Sequence, residues 1–229
     1  MLNYKNYNPA TKEILVKQIY HTAIEALLLF LISAIFFGAI IMGVVVSLSI
    51  QYGMKNYIGY LIVKLVLVEL VPFILALVVS FRTGLRVGAK TAIMKVNNEL
   101  NSLEKYNIDF VKYLFMPRAL GNMIGFTSLV FLFSIIMVLS GYVFLFLMIG
   151  MDFDIFLSTI INAASLKDII IFFIKSSIFG FIIVTIPSYD ALMMKKRYFE
   201  IPVTLSKMIS ALFVAILILE VISLIIQLI

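Results

Sequence analysis

Long apolar runs alternate with short polar connections along the chain, and this pattern predicts membrane-spanning helices. Hydrocarbon about 30 Å thick is crossed by roughly 20 apolar helical residues, and five windows of the sequence are long and apolar enough. The stretch 81–118 is too charged for lipid, so we expect it to fold on one membrane face. The sequence therefore predicts an all-α integral membrane protein with one domain over residues 1–229. The predicted transmembrane helices cover residues 23–50, 57–80, 119–149, 169–189 and 206–228.

Composition supports the same class. Hydrophobic residues make up 63% of the chain and charged residues 13%, so a soluble domain of this composition would have a mostly apolar surface. The chain has no cysteine and a single histidine, His21, so we expect no disulfide, no metal and no cofactor in it. The net charge of +6 is explained by membrane topology, and nucleic-acid binding is not predicted.

Cations cluster in three regions: before the first span, between the second and third, and between the fourth and fifth. By the positive-inside rule these regions face the cytoplasm, which puts the N-terminus inside and the C-terminus outside. The opposite connections carry only Lys55 and Lys167. The clustered cations are Lys5, Lys12, Lys17, Arg82, Arg86, Lys90, Lys95, Lys105, Lys112, Arg118, Lys195, Lys196, Arg197 and Lys207.

Residues 8–21 are predicted to form a helix lying on the membrane. Asn8 is a good N-cap with Pro9 at the first helical position, and Glu13 and Lys17 are spaced to form an i,i+4 pair. The alternative is a solvated tail that continues into the first span. The narrow apolar face of the helix would consist of Ile14, Leu15 and Ile19.

Small and ionisable residues inside the spans give further expectations. Ala39, Gly43 and Ser47 recur at the spacing of a close helix contact, so this stripe of the first span is predicted to face protein. Glu69 lies in mid-span just before Pro72, which can kink the helix, and we expect its partner on another helix or on backbone donors. Three other ionisable residues lie nearer the predicted span ends and are expected to reach the interface. They are Glu25, Lys175 and Glu220.

An ordered set of motifs resembles the MlaE/YrbE family, the permease subunits of ABC transporters that work with MCE proteins on lipids. The motifs are Leu-Val-Glu-Leu-Val-Pro at 67–72, Phe-Arg-Thr-Gly at 81–84, the stretch 93–103, Asn-Ile-Asp-Phe at 107–110 and Met-Pro-Arg at 116–118. Two departures stand out. Val68 occupies the place of the family's usual arginine, for which Lys64 is a candidate substitute, and a basic stretch at 195–202 replaces a glycine-rich loop.

The resemblance implies a homodimer, with ATP and magnesium bound by a separate ABC ATPase. It further implies an MCE-domain protein, a small ATPase-regulating subunit and a lipid substrate as partners. The contact with the ATPase is expected on a cytoplasmic coupling helix, Ala89–Leu103, whose apolar positions recur at helical spacing; the alternative is a helix that packs only against its own spans. The expected ATPase-coupling residues are Arg82, Gly84, Ile93, Met94, Lys95, Val96, Glu99 and Leu100.

When the first span is matched to the family without gaps, the resemblance implies that the lipid pocket is lined by Ile41, Val44, Leu48 and Tyr52. Apolar side chains suit a lipid tail, although ordinary helix packing would use the same residues. Lys64, Glu69 and Pro72 are the expected buried polar and kink residues.

The predicted function is thus a permease of the bacterial inner membrane that moves phospholipid or a similar lipid between that membrane and an MCE protein. The chain is not expected to be an enzyme, because it has no phosphate-cradling glycine loop and no catalytic constellation. An ion-coupled secondary transporter or channel using Lys64 and Glu69 is the alternative, against which stands the lack of an inverted repeat. A lipid-modifying enzyme is a weaker third possibility.

Overall fold

The computed structural model describes residues 9–25, 27–54 and 57–228, and these residues form helices and no strand. Five helices are long and apolar enough to cross a membrane, so the predicted all-α membrane architecture is confirmed. These helices are span one (Leu27–Gln51), span two (Ile58–Val96), span three (Val111–Ile149), span four (Leu166–Met193) and span five (Glu200–Leu228).

Span two is longer than its apolar sequence. It was predicted to end at residue 80 but continues through a wide π-type turn, Ser80–Gly84, into an α-helical segment, Leu85–Val96. The backbone stays helical because alanine, arginine, lysine and methionine favour helix and because one face of the segment packs against spans four and five. The buried residues of this face are Val87, Gly88, Thr91 and Ala92. The charged residues after position 80 are not compatible with the hydrocarbon of a membrane, but the helix continues through them.

Two shorter helices lie in the connections. Glu99–Lys105 follows span two, and Phe153–Ala163 occupies the connection between spans three and four, where no helix was predicted. The second helix lies directly on the start of span two, since a Cβ on Gly59 would lie 2.3 Å from the Thr159 carbonyl oxygen. This contact fixes the 153–163 helix at the same end of the molecule as the start of span two.

The five spans share one hydrophobic core. Span three lies centrally and packs against spans one and four. Between helices in lipid, van der Waals contact of these side chains and interhelical hydrogen bonds stabilise the packing, because the faces they cover would otherwise meet acyl chains and not water. Core members include Phe30 and Ala34 from span one, Val66 and Leu75 from span two, Phe126 and Met137 from span three, Phe172 and Ile183 from span four, and Ile216 from span five.

Spans one and three approach each other at glycines. A Cβ on Gly38 would lie 2.0 Å from the Ser140 hydroxyl oxygen, and one on Gly141 would lie 2.4 Å from Met42 Cγ. The predicted stripe has the wrong register, because Ser47 is exposed and only Gly43 of its three residues is buried. The packed face is instead centred on Ala34, Gly38 and Met42. Spacing alone could not separate the two registers, since small residues occur on both.

An N-terminal helix, Pro9–Ile19, continues through Tyr20–Ile24 towards span one. The expected pair between Glu13 and Lys17 is confirmed, with 2.6 Å between carboxylate oxygen and ammonium nitrogen. The proposed cap, Asn8, lies outside the described residues.

This N-terminal helix packs on span three through polar contacts. The Thr22 hydroxyl donates to Asn122 Oδ1 at 2.7 Å, and Asn122 Nδ2 donates to the Gly180 carbonyl oxygen at 2.6 Å. Gly121 allows the approach, since a Cβ there would lie 2.7 Å from the Leu15 carbonyl oxygen. Leu15 is half-buried, as are the other predicted apolar-face residues, whereas the buried side chains described in residues 11–25 are the polar Gln18 and Thr22. The helix is therefore fastened to the bundle by buried hydrogen bonds as well as apolar packing.

Candidate functional site

Glu69 is buried in the middle of span two. It belongs to a wide-turned stretch, Leu61–Leu70, that ends just before Pro72. Proline has no N–H, so in an α-helix the carbonyl four residues earlier, that of Val68, lacks its usual donor. Lys175 Nζ supplies one, at 3.4 Å from the Val68 carbonyl oxygen. The proline and the wide turns thus open the backbone of span two towards span four.

The same lysine is the centre of a buried charge cluster that joins spans two, four and five. Lys175 Nζ pairs with a carboxylate oxygen of Glu69 and lies 2.8 Å from Glu220 Oε2. Two further donors from span five reach the other Glu69 oxygen: the Ser223 hydroxyl at 3.4 Å and the side-chain amide of Gln227. The Glu69 partner expected on another helix is therefore Lys175.

The expectation that Lys175 and Glu220 reach the membrane interface is wrong. Lys175 is only 6% exposed, and Glu220 points into the protein with it. An ammonium in mid-membrane is costly unless it is paired, and pairing with two carboxylates removes the need to reach water. The sequence did carry a signal: one cation and two carboxylates lie at interior positions of three different spans.

Lys64 has a different partner. Its ammonium lies 2.8 Å from Asp168 Oδ1 at the start of span four. Asp168 closes a capping box with Ser165, whose backbone N–H and hydroxyl donate to Asp168 Oδ2 at 3.0 and 2.7 Å. The structure therefore does not bring Lys64 and Glu69 together, and Asp168 is a site residue that sequence reasoning missed.

The charge cluster joins three helices rather than presenting a catalytic group. The ion pairs of Lys175 therefore depend on how span four is placed relative to spans two and five. Within the described ranges, no group of three or more histidine, cysteine, aspartate or glutamate side chains is placed to hold a metal ion.

An apolar groove adjoins the cluster between spans four and five. Its volume is about 220 Å³, and Lys175 is the one charged residue among those that line it. The groove was not predicted, because it forms where two apolar helices diverge and no residue type marks that. Its lining residues are Ile171, Ile174, Lys175, Ile178, Phe179, Leu219, Ile222, Ser223 and Ile226.

The predicted lipid-lining residues lie elsewhere, on span one. Val44, Leu48 and Tyr52 are exposed and, four residues apart, share one face. Ile41 is half-buried and packs against the central core. Within one chain these side chains form an open apolar strip rather than a closed pocket.

Two of the predicted coupling residues hold helices together inside the chain. Arg82 donates to the Glu25 backbone carbonyl at 3.0 Å, which ties span two to the start of span one. Gly84 is buried where spans four and five come close, since a Cβ there would lie 2.9 Å from the Ile183 carbonyl oxygen. Gly84 can affect a partner only through the packing of this chain, whereas the Arg82 side chain is 32% exposed and remains partly accessible.

The single coupling helix predicted over Ala89–Leu103 is wrong. The helix ends at Val96, and Asn98 adopts a left-handed conformation with φ of 61° before Glu99–Lys105 begins. Asparagine tolerates this region better than most residues, so the Asn97-Asn98 pair acts as a turn. The predicted apolar face is consequently divided between two helices.

This turn also decides which predicted coupling residues remain accessible. Ile93 is 44% exposed and Glu99 is exposed, whereas Leu100 is buried. Val96 packs partly against a small cluster around Ala92 and Met194. Met94 and Lys95 are half-buried. The free surface near the end of span two is thus smaller than expected and centred on Ile93 and Glu99.

Comparison with known proteins gives a consistent picture. The family described as "Permease MlaE" matches residues 15–226. The intermembrane phospholipid transport system permease protein MlaE of Haemophilus influenzae is 31% identical over 170 residues, which is 73% of this chain and 64% of that protein.

Other relatives carry less specific names. A probable ABC transporter permease protein of Rickettsia typhi is 26% identical over 182 residues, covering 80% of this chain and 70% of the relative. One from Synechocystis is 28% identical over 162 residues, covering 71% and 62%.

Proposed function

Because the chain belongs to the MlaE permease family, we propose that it is the membrane subunit of an ATP-driven transporter that moves phospholipid between the bacterial inner membrane and an MCE protein. It acts as a homodimer together with an ABC ATPase and a small ATPase-regulating subunit. ATP and magnesium belong to the ATPase, and this chain performs no chemistry on them. The phospholipid assignment is supported by the name of the Haemophilus influenzae relative.

The observation that carries the proposal is the unbroken helix Ile58–Val96. It joins the buried Glu69 to exposed Ile93, so a protein bound at the exposed end contacts the same helix that holds the charge cluster. A partner drives a conformational change only through contacts whose free energy differs between the two states. The Lys175 ion pairs, which depend on how the spans are placed, are suited to such a two-state arrangement.

The apolar strip of span one supports a lipid cargo. Val44 and Leu48 expose large apolar surface, and Tyr52 continues the same face past the end of the helix. Two copies facing each other along this strip would enclose an apolar space suited to acyl chains.

The distribution of cations predicts which end of each span faces the cytoplasm. The N-terminal helix and the connections at 97–110 and 194–199 face the cytoplasm, and the 153–163 helix and the C-terminus face the periplasm. The ATPase therefore meets the Ile93 end of span two.

The test replaces Ile93 with aspartate. An unpaired charge pressed against a partner costs a few kcal/mol, so Ile93→Asp should release the ATPase from the detergent-solubilised complex and abolish lipid transport. Val96 is unsuitable for this purpose, because it packs inside the chain and its replacement would unfold the local structure. Recovery of the ATPase in a pull-down with the tagged permease is the measurement.

Ile108→Asp is the matched control, since Ile108 is 38% exposed against 44% for Ile93 and lies beyond the end of span two, in the connection to span three. It should retain the ATPase. Equal ATPase recovery from both variants would remove the end of span two from the coupling surface. Recovery of no ATPase even with the wild-type chain, together with ion-dependent uptake, would favour the secondary transporter instead.

A further inference from the structure

The connection between spans four and five is a short, strongly basic loop. Residues 194–199 include Lys195, Lys196 and Arg197, all exposed. Among the residues that the structure describes, no carboxylate lies within ion-pair distance of any of the three. Three adjacent positive charges therefore face outward without compensation from the protein.

The loop is held in one shape by the end of span two. Lys196 Nζ donates to Asn98 Oδ1 at 2.9 Å, and the Tyr198 hydroxyl donates to Asn97 Oδ1 at 2.6 Å. Lys95 adds a bond from its ammonium to the Leu192 carbonyl oxygen. The charges are thus presented by a fixed loop, which lowers the entropy cost of binding a ligand.

The length of span four sets the depth of this loop. The helix has 28 residues and is therefore about 42 Å long, close to the roughly 40–45 Å of a bilayer including its headgroups. Membrane helices begin and end the loop, so it cannot move away from the surface. If span four crosses the bilayer along its normal, the three cations lie at the level of lipid phosphates.

Aromatic side chains lie beside the cations. Tyr198 is 65% exposed and Phe199 is 69% exposed, although a free phenylalanine on a soluble surface would be unfavourable. Arg197 lies over the Phe199 ring, with 5.7 Å from the guanidinium carbon to the ring centre. Rings at the boundary between headgroups and hydrocarbon, next to cations, are typical of membrane-interface anchors.

We propose that the 194–199 loop is a binding site for anionic phospholipid headgroups. Lys195, Lys196 and Arg197 contact the lipid phosphate and its neighbouring anionic groups, and the exposed rings of Tyr198 and Phe199 rest against the upper acyl chain. A membrane ligand fits better than an acidic groove of a soluble protein, because the loop is confined to the headgroup layer and its aromatic rings point outward. The inference depends on the five spans and not on the transport activity proposed above.

The experiment measures lipid retention by native mass spectrometry of the delipidated full-length chain in detergent. Phosphatidylglycerol and phosphatidylcholine are added separately, and wild type is compared with the triple variant Lys195→Gln, Lys196→Gln, Arg197→Gln. Wild type should prefer phosphatidylglycerol, and the triple variant should lose on the order of 100-fold in affinity for it, since each cation near an anionic surface contributes about fivefold. Affinity for phosphatidylcholine should not change.

The control triple variant is Lys12→Gln, Lys112→Gln, Lys167→Gln, which removes the same charge from exposed lysines outside the 97–110 and 194–199 connections and should bind phosphatidylglycerol like wild type. Equal losses in both variants, or none in either, would overturn the site. Loss of ATPase recovery with unchanged lipid selectivity would assign the loop to a protein partner instead. If the triple variant does not fold, the single variant Arg197→Gln decides, since it should lose about fivefold in affinity for phosphatidylglycerol and an unchanged affinity would overturn the site.

Discussion

At the scale of single residues, the most consequential side chain is Lys175. It is the shared counter-charge of Glu69 and Glu220 and also donates to the Val68 carbonyl. Removing one member of a buried ion pair usually costs about 3–5 kcal/mol, because the remaining charge has no partner. Here one substitution leaves two such carboxylates.

We therefore expect Lys175→Met to destabilise the chain by about 3–5 kcal/mol. Glu69→Gln should be much milder, because the Lys175 and Glu220 pair survives, and it should insert and assemble normally while transporting lipid more slowly. Adding Glu69→Gln to Lys175→Met should recover part of the lost stability, since one unpaired carboxylate is removed. Thermal unfolding midpoints of the purified proteins measure these differences.

Lys207→Met serves as the control, because Lys207 is exposed and its loss should leave the midpoint unchanged. A Lys175→Met protein as stable as wild type would show that the cluster is not ionised in the folded state. Wild-type transport by Glu69→Gln would remove Glu69 from the functional residues.

At the scale of helices, the contact between two spans depends on which residues face each other where the helices come closest. Gly38 faces span three so closely that a side chain there would overlap both the Ser140 hydroxyl and the Met137 carbonyl. Ser47, on the same span, is exposed. The two positions therefore distinguish the observed register from the predicted one.

Gly38→Leu should destabilise the bundle by about 1–3 kcal/mol or more, because the helices must separate to admit the side chain. Ser47→Leu should have no effect in detergent. The fraction of monodisperse protein that survives heating, followed by size-exclusion chromatography, compares the two. The opposite order of sensitivity would restore the predicted register.

The apolar pattern predicted the five spans because lipid admits few alternatives. It failed at the ends of helices: span two continues past Arg82 and Arg86, because both side chains bond to Glu25 while the backbone stays helical. The turn at Asn98 was missed because asparagine is also compatible with a helix. Glu69 and Pro72 could be identified from the sequence because a charge or a proline inside a membrane helix is energetically costly. Asp168, the groove and the partner of Glu69 depend on which helices are neighbours. A single sequence does not contain that information.

At the scale of the whole molecule, contacts between connections assign them to two ends. Lys196 bonds to Asn98, which places the 97–110 and 194–199 connections together. The 153–163 helix lies against Gly59 at the start of span two. The positive charge is concentrated at the first of these ends.

Cysteine labelling of intact cells tests the orientation, since the chain has no native cysteine. Asn101→Cys should be protected from a membrane-impermeant reagent, and Asp154→Cys should react, because the positive-inside rule predicts that the cation-rich end faces the cytoplasm. Both positions are exposed in the fold, so a lack of reaction cannot be attributed to a buried side chain. Reaction at 101 with protection at 154 would invert the assignment of every connection.

Pro72 divides the continuous helix of span two into two parts of unequal length. If the helix turns about the region of Pro72, the part to Val96 is about 36 Å long and the part to Ile58 about 21 Å. A displacement of about 3 Å at Val96 then becomes about 2 Å at Ile58, with the force increased in the inverse ratio. Such a rotation would convert a longer displacement at one end of span two into a shorter one at the other, and the position of Pro72 in the sequence would set the ratio.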